Sequence, residues 1–359
     1  MGILDLLFGK KNNVNQPVRV NNGSPAMNKR IPLAASNTGV DIKTLVMLAL
    51  SEKYRVGEMK YPAYLQNKYG IPFPNEVLSR LASLGYIRKS DGYETLANMS
   101  GADLKELCGR FGLKVSGKKE DLCRRLKESV APVALESQIS DRYWIITESG
   151  RDLLINNPYI EYYLQDHKYS LEVIGINLTE CARICSSGRR VRDALWGELN
   201  KRSLEYYQKS MKNRNFHDYC ELLRLMALFL EEEGRYEDGL AIYIRYMHYR
   251  INFQAALAAI NTYSVLRRIN EAADTLFIDA EIMPFMAKEI IDLTGECGYD
   301  SNQLQSFMVQ TLSKETDTGV FNPMELTQFI MFGLNGDKEG QRNMCKKAMQ
   351  AAKGRMGGK

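Results

Sequence analysis

The chain has 359 residues, 45% hydrophobic and 25% charged, which is long enough for two or three folded domains. This composition excludes a disordered or fibrous protein, and no apolar run approaches the roughly 20 residues that span a bilayer. The seven cysteines are scattered and odd in number, which predicts free thiols in a cytoplasmic protein.

The net charge of +5 is distributed unevenly along the chain. Residues 1–39 carry +4, residues 100–127 carry +4 and residues 338–359 carry +6, so that the remainder carries −9. Such a separation predicts a protein that touches a polyanion with selected parts of its surface.

Residues 1–39 are rich in Asn, Gly, Pro and Ser, which predicts a disordered segment. Apolar spacing then predicts three helices, at about 41–53, 62–69 and 74–85. A strand is predicted to follow at Tyr86, and the strand that returns to it is predicted at residues 143–146.

Thr147 and Gly150 follow that returning strand, and another helix is predicted after them. This order of elements resembles a winged helix-turn-helix domain, which we place at residues 40–156. The two strands would be the wing of that domain, and the segment between them would be inserted in the wing.

The inserted segment has the most informative pattern in the chain. Ser100 is predicted to cap a first helix, with Asp103 in the capping-box position, and Gly112 is predicted to end it. Ser116 and Gly117 are predicted to open a second helix. Apolar residues at regular spacing are expected to form the core between them: Leu104, Leu107, Leu113, Leu122 and Leu126.

These residues resemble the SAP motif, a helix–loop–helix that binds DNA in many unrelated proteins. We place this module at residues 95–130. The resemblance is carried by the order and spacing of Leu104, Leu107, Gly112, Leu113, Ser116, Gly117, Lys119, Leu122, Arg125 and Leu126. The whole arrangement resembles SAP-domain proteins of bacteria and of phages or prophages, which implies a DNA-associated role.

Candidate DNA contacts are basic or lie at the start of the second helix, because cations and helix amides bind phosphate without reading sequence. They are Lys105, Arg110, Lys114, Ser116, Gly117, Lys118, Lys119, Arg124 and Arg125. Arg80, on the third helix of the winged helix, is a further candidate. A scaffolding role for the winged helix is an equal alternative to DNA contact.

From residue 157 to residue 350 the pattern predicts only helices, and residues 351–359 are expected to form a flexible tail. Residues 222–250 resemble one degenerate tetratricopeptide repeat, which cannot bury its own face and therefore predicts a larger helical bundle. Arg189, Arg190 and Arg192 are expected to pair with the acidic helices, and DNA contact is the alternative for them. The Met and Phe positions of residues 270–350 are expected to form core.

Sequence patterns for catalysis are absent: there is no GxxxxGK[ST], GxGxxG after a strand, GxSxG or HExxH. We therefore predict a non-enzymatic protein without a cofactor or a metal, which binds duplex DNA through the SAP-like module. Its C-terminal helices would bind a protein partner or a second copy. Two alternatives stay open: a protein-interaction adaptor that does not bind DNA, and a metal-dependent DNA-processing enzyme.

Overall fold

The computed structural model describes residues 40–186, 188–317 and 319–357, which are mainly helical with one two-stranded sheet. The described residues form two compact units. The N-terminal unit holds residues 40–165 and 178–191, and the C-terminal unit holds residues 166–177 and 192–357. The predicted disordered segment 1–39 lies outside the described residues. Among the helices that are described, none is long and apolar enough to cross a membrane.

Three helices open the N-terminal unit close to where the sequence predicts them: α1 (Ile42–Leu50), α2 (Ala63–Asn67) and α3 (Pro74–Ser83). Helix α1 begins after Asp41, whose carboxylate accepts a hydrogen bond from the Thr44 N–H at 3.0 Å. Helix α3 begins at Pro74, whose missing N–H costs nothing in the first turn.

Two short strands form the sheet of this unit. Strand β1 (Ile87–Lys89) pairs antiparallel with β2 (Trp144–Ile146), and Ile87 lies opposite Ile146. The predicted return of the chain to the first strand is therefore confirmed. Four helices lie between the two strands: α4 (Gly92–Leu96), α5 (Gly101–Arg110), α6 (Lys119–Ser129) and α7 (Pro132–Gln138).

Helix α8 (Glu148–Ile155) begins at Thr147, immediately after β2. The Thr147 hydroxyl donates to the Gly85 carbonyl at 2.7 Å and accepts from the Gly150 N–H at 3.2 Å. A Cβ atom on Gly150 would lie 2.2 Å from the Tyr86 carbonyl oxygen, so only glycine fits there. Helices α9 (Tyr159–Leu164) and α10 (Leu178–Cys185) complete the unit.

The C-terminal unit is built from helices around one large apolar core. A 3₁₀ turn at Leu171–Ile174 and a π-helical turn at Arg250–Ala255 accompany them. The helices are α11 (Val191–Asn213), α12 (His217–Glu232), α13 (Tyr236–Tyr249), α14 (Ala256–Leu266), α15 (Ile269–Ala280), α16 (Pro284–Glu296), α17 (Ser301–Leu312), α18 (Pro323–Leu334) and α19 (Lys338–Gly357). Helix α19 therefore continues past residue 350, where we expected the helical part to end.

Helices α12 and α13 form a hairpin within residues 222–250. Gly234 makes the turn with a φ of +71°, a conformation that favours glycine. A Cβ atom on Gly239 would lie 3.1 Å from the Ala227 carbonyl oxygen, so the missing side chain lets the two helices approach closely. The expected pairing of Arg192 is confirmed, because its Nε lies 2.9 Å from a carboxylate oxygen of Glu233.

The predicted core of the C-terminal helices is partly confirmed. Phe277, Met286 and Met308 are buried in it. Met283 and Phe285 are instead exposed at the start of α16, because the buried face of that helix carries Met286 and Ile290.

We predict that Gly150→Ala lowers the free energy of unfolding by about 1–3 kcal/mol, because the new methyl group overlaps the Tyr86 carbonyl. Urea unfolding followed by circular dichroism measures this. Gly101→Ala is the control, since a Cβ atom at Gly101 meets no atom within 4 Å. Equal stability of the two variants would show that the Gly150 contact is not a constraint.

Candidate nucleic-acid interface

The four helices between β1 and β2 share a small apolar core. Its buried residues come from all four helices and the segments that follow them: Leu96, Leu104, Leu107, Cys108, Leu122, Leu126, Val130, Leu135 and Ile139. Leu113, which was predicted in this core, is half-buried and packs against it. Helices α4 and α7 were not predicted, and their buried residues share this core with the predicted helix pair.

Close contacts join α4 to the chain that enters α7. The Tyr93 hydroxyl donates to the Val130 carbonyl at 2.8 Å. A Cβ atom on Gly92 would lie 2.8 Å from the Pro132 carbonyl oxygen, so a larger residue would push the helices apart. The Asp91–Glu94 capping box and Pro132 at the first turn of α7 are the sequence signals that identify these two helices.

The first predicted helix is confirmed as α5, with the predicted ends. The Asp103 N–H donates to the Ser100 hydroxyl at 3.1 Å, and the Ser100 N–H donates to the Asp103 carboxylate at 3.3 Å. Gly112 ends the helix with a φ of +68°, and the Leu113 N–H returns to the Cys108 carbonyl at 2.8 Å.

The second helix, α6, begins at Lys119, so the prediction that Ser116 and Gly117 open it is wrong. Gly117 has a φ of +132°, which is not helical, and it keeps residues 116–118 in the loop. The N–H groups of Lys119 and Glu120 point out of the helix end without an acceptor among the described residues. Such an end attracts anions.

Arg125 extends from α6 to the loop that precedes the helix. Its guanidinium donates to the Lys114 carbonyl and, at 3.4 Å, to the Ser116 carbonyl. On the other side of Gly117, the Lys118 N–H donates to the Asp121 carboxylate at 3.4 Å. The loop is therefore held against the first turns of α6.

The other candidate side chains of the module lie on its surface. Arg110 pairs with Glu106 at 2.6 Å, and Arg124 pairs with Asp121 at 2.8 Å. Four exposed lysines form no ion pair with any residue that the structure describes: Lys105, Lys114, Lys118 and Lys119. Exposed pairs within one helix contribute little to stability, so both arginines are available to another anion.

Lys119 and Arg124 line one shallow groove on α6 together with Lys127. Lys127 was not among the predicted contacts, and its spacing of eight residues from Lys119 along one helix could have identified it. Glu120 and Glu128 also line this groove, so its charge is mixed.

Arg80 lies outside the module, on α3, and its side chain is exposed. The neighbouring polar face of this helix is partly engaged within the protein. The Asn75 side chain accepts from the Tyr61 hydroxyl at 2.7 Å and donates to the Glu58 carbonyl at 2.9 Å. Asn75 is therefore less available than Arg80 for contacts outside the chain.

Polar contacts fix the module to the two strands. The Ser90 N–H donates to the Tyr143 carbonyl at 2.8 Å, and the Tyr143 N–H donates to the Ser90 hydroxyl at 3.0 Å. Arg88 on β1 donates two hydrogen bonds to Glu94 on α4, at 2.7 and 2.5 Å. These bonds hold the pKa of Glu94 below its usual value.

Clusters of side chains suited to metal binding are not found in the parts of the chain that the structure describes. Across residues 40–186, 188–317 and 319–357, no three His, Cys, Asp or Glu side chains are placed to hold a metal ion. Cys181 is buried on α10, and all seven cysteines are free. His167 lies 2.9 Å from a carboxylate oxygen of Glu232.

No curated protein and no solved structure is similar to this chain. The family model of the SAP domain matches residues 95–131, which begin at the end of α4 and include all of α5 and α6. This match confirms the resemblance that the apolar and glycine spacing indicates. Residues 95–131 are therefore similar to the SAP domain, which is a DNA-binding module.

Proposed function

We propose that this chain is a non-enzymatic DNA-binding protein whose SAP module binds the phosphates of duplex DNA with little sequence preference. One observation carries the proposal: Lys114, Lys118 and Lys119 are exposed and unpaired, within the described residues, around the open N-terminus of α6. A phosphate at this point would meet the helix amides and nearby ammonium groups together. Contacts of this kind carry no sequence information.

The paired arginines of the module would add to this interface. Arg110 and Arg124 would exchange their carboxylate partners for phosphate, which costs little because both ion pairs are exposed to solvent. Arg125 has a different role in this proposal. It positions the loop of Lys114 and Ser116, and does not itself contact DNA.

The N-terminal unit is, in our interpretation, a winged helix whose wing carries the SAP module. Three helices, a strand, an insertion, the returning strand and a further helix follow in the order that this fold requires. Arg80 on α3 would provide a second point of contact. Two weak contacts on one unit raise the overall affinity because the second becomes intramolecular.

The C-terminal unit is proposed to bind a protein partner or a second copy of the chain. Large apolar side chains are exposed on three consecutive helices, α14 to α16: Val265, Leu266, Ile278, Phe285 and Ile291. Exposed apolar residues that together form a contiguous patch would mark a protein contact. The likeness of the α12–α13 hairpin to a tetratricopeptide repeat is part of this proposal. The free cysteines suit a reducing compartment, and we propose a cytoplasmic location.

We predict that Lys114→Gln, Lys118→Gln and Lys119→Gln together flatten the dependence of DNA affinity on salt. The log–log slope should fall by about 2.7, because each lost phosphate contact removes about 0.9. Fluorescence anisotropy with several unrelated duplexes across a salt series measures the slope, and all duplexes should give the same one.

A matched control for this variant removes the same charge elsewhere. Lys201, Arg268 and Lys288 are exposed on the C-terminal unit and pair with nearby carboxylates, so their change to Gln should leave the slope unaltered. Equal slopes for the two triple variants would contradict the proposed phosphate site. No binding by the intact chain at low salt would favour the protein-interaction adaptor.

We predict that Arg125→Met frees the loop before α6. Hydrogen exchange at the amides of residues 114–118 should accelerate, and the salt slope should fall by more than the roughly 0.9 expected for one phosphate contact. Arg125→Lys should not restore the loop, since one ammonium group cannot replace the planar guanidinium. A decrease of about 0.9 in the salt slope, with unchanged hydrogen exchange at residues 114–118, would instead show that Arg125 contacts a phosphate directly.

The alternative function, a metal-dependent DNA-processing enzyme, can be tested separately. Supercoiled plasmid incubated with the protein and Mg²⁺ or Mn²⁺ should remain intact on an agarose gel if the protein only binds DNA. Metal-dependent nicking or cleavage that copurifies with the intact chain would replace the binding protein with a DNA-processing enzyme.

A further inference from the structure

Helix α19 of the C-terminal unit exposes a row of basic side chains. Arg342, Lys346 and Lys353 occupy positions i, i+4 and i+11, which lie on one line along a helix because eleven residues are close to three turns. All three residues are exposed. The row is about 16 Å long at 1.5 Å per residue.

The face of α19 next to the row fixes the helix in the unit. Cys345 and Met349 belong to the core of the unit, and Ala352 is also buried. The Gln341 side chain, also buried, donates to the Phe329 carbonyl at 3.2 Å. The row is therefore presented by an anchored helix.

The basic row has no acidic neighbours on its own helix. Several exposed cations of this unit have a carboxylate one turn away, as in Arg235–Asp238 and Lys288–Asp292. On α19 the acidic residue is Glu339, and no Asp or Glu follows it to the end of the chain. Within the described residues, Lys346 and Lys353 form no ion pair with any other helix either.

Stabilisation of the helix end does not explain the row. Cations favour the last turn of a helix, and this effect falls off within that turn. Lys353 lies near the end of α19, but Arg342 and Lys346 lie in its first half. Arg342 is also held in place, with its guanidinium 4.6 Å from the centre of the Phe277 ring.

We propose that the row of Arg342, Lys346 and Lys353 is a second binding surface for the phosphates of duplex DNA. A row about 16 Å long runs beside roughly ten phosphate charges of a duplex. An anionic membrane would also attract these cations. DNA fits better, because Cys345 and Met349, which border the row, are buried and leave no apolar flank to enter a bilayer.

The proposal gives the chain a DNA contact on each of its two units. It goes beyond the SAP module, and it does not depend on that module for its evidence. The C-terminal unit would then hold DNA with one surface and a protein with another. Binding by both units would raise the overall affinity for DNA, because the second contact becomes intramolecular.

The test is the salt dependence of duplex DNA binding by the full chain with Lys346→Gln and Lys353→Gln. The log–log slope should fall by about 1.8, for two lost contacts. Lys347→Gln with Lys288→Gln is the matched control, because Lys347 lies off the row on the same helix and Lys288 lies on another helix of the unit. Thermal unfolding should show that both double variants remain folded. Equal slopes for the two double variants would overturn the proposal.

Two further experiments distinguish DNA binding by the row from DNA binding by the SAP module and from membrane binding. In the background of Lys114→Gln, Lys118→Gln and Lys119→Gln, the row variant should still flatten the slope. If the row variant has this effect and the SAP variant has none, the row is supported and the proposed SAP function fails. Sedimentation with phosphatidylserine vesicles is the membrane arm. If Lys346→Gln with Lys353→Gln abolishes vesicle binding but leaves DNA binding unchanged, the proposal that the row binds DNA is wrong.

Discussion

The hydrogen bonds between Ser90 and Tyr143 join the two ends of the four-helix insertion that contains the SAP module. Strands pair at a spacing of about 5 Å, so the four helices between them must begin and end almost at the same place. Helices α4 and α7 meet this requirement by packing on each other. The packing of α4 on α7 thus brings the two ends of the insertion together, and the two strands fix those ends in the N-terminal unit.

Close backbone approaches make this arrangement specific. Gly92 allows α4 to contact the start of α7, and Gly150 allows α8 to begin beside β1. At both positions a methyl group would meet a carbonyl oxygen, which cannot move without breaking the neighbouring element. Gly117 has a different role, because its backbone conformation ends the loop and exposes the first amides of α6.

The charges of the protein divide into paired and unpaired groups. Many arginines of the helical units have a carboxylate within 3 Å, as Arg192 and Arg202 do, and these pairs join or stiffen helices. Lys118 and Lys119 at the start of α6, and Lys346 and Lys353 on α19, are exposed without such a partner in the described residues. Cations of the second kind keep their full attraction for a polyanion, and each proposed DNA surface includes them.

The local features of the fold follow from the order of residues alone. The Ser100 cap, the stop at Gly112 and the buried Leu104, Leu107, Leu122 and Leu126 depend on residues a few positions apart, and all were predictable. The return of the chain at residues 143–146 was predictable for the same reason, since its strand pattern and the Thr147 cap are local. The SAP resemblance combines such local signals.

Which charged groups are free to bind a partner depends instead on contacts made in the folded protein. Arg125 and Lys119 look alike in the sequence, but folding brings the Lys114 and Ser116 carbonyls within reach of Arg125 and leaves Lys119 exposed. The buried and exposed faces of α16 were likewise set by the helices that pack against it. Contacts between residues far apart in the chain decide burial and pairing, and the spacing of residues within one helix does not encode them.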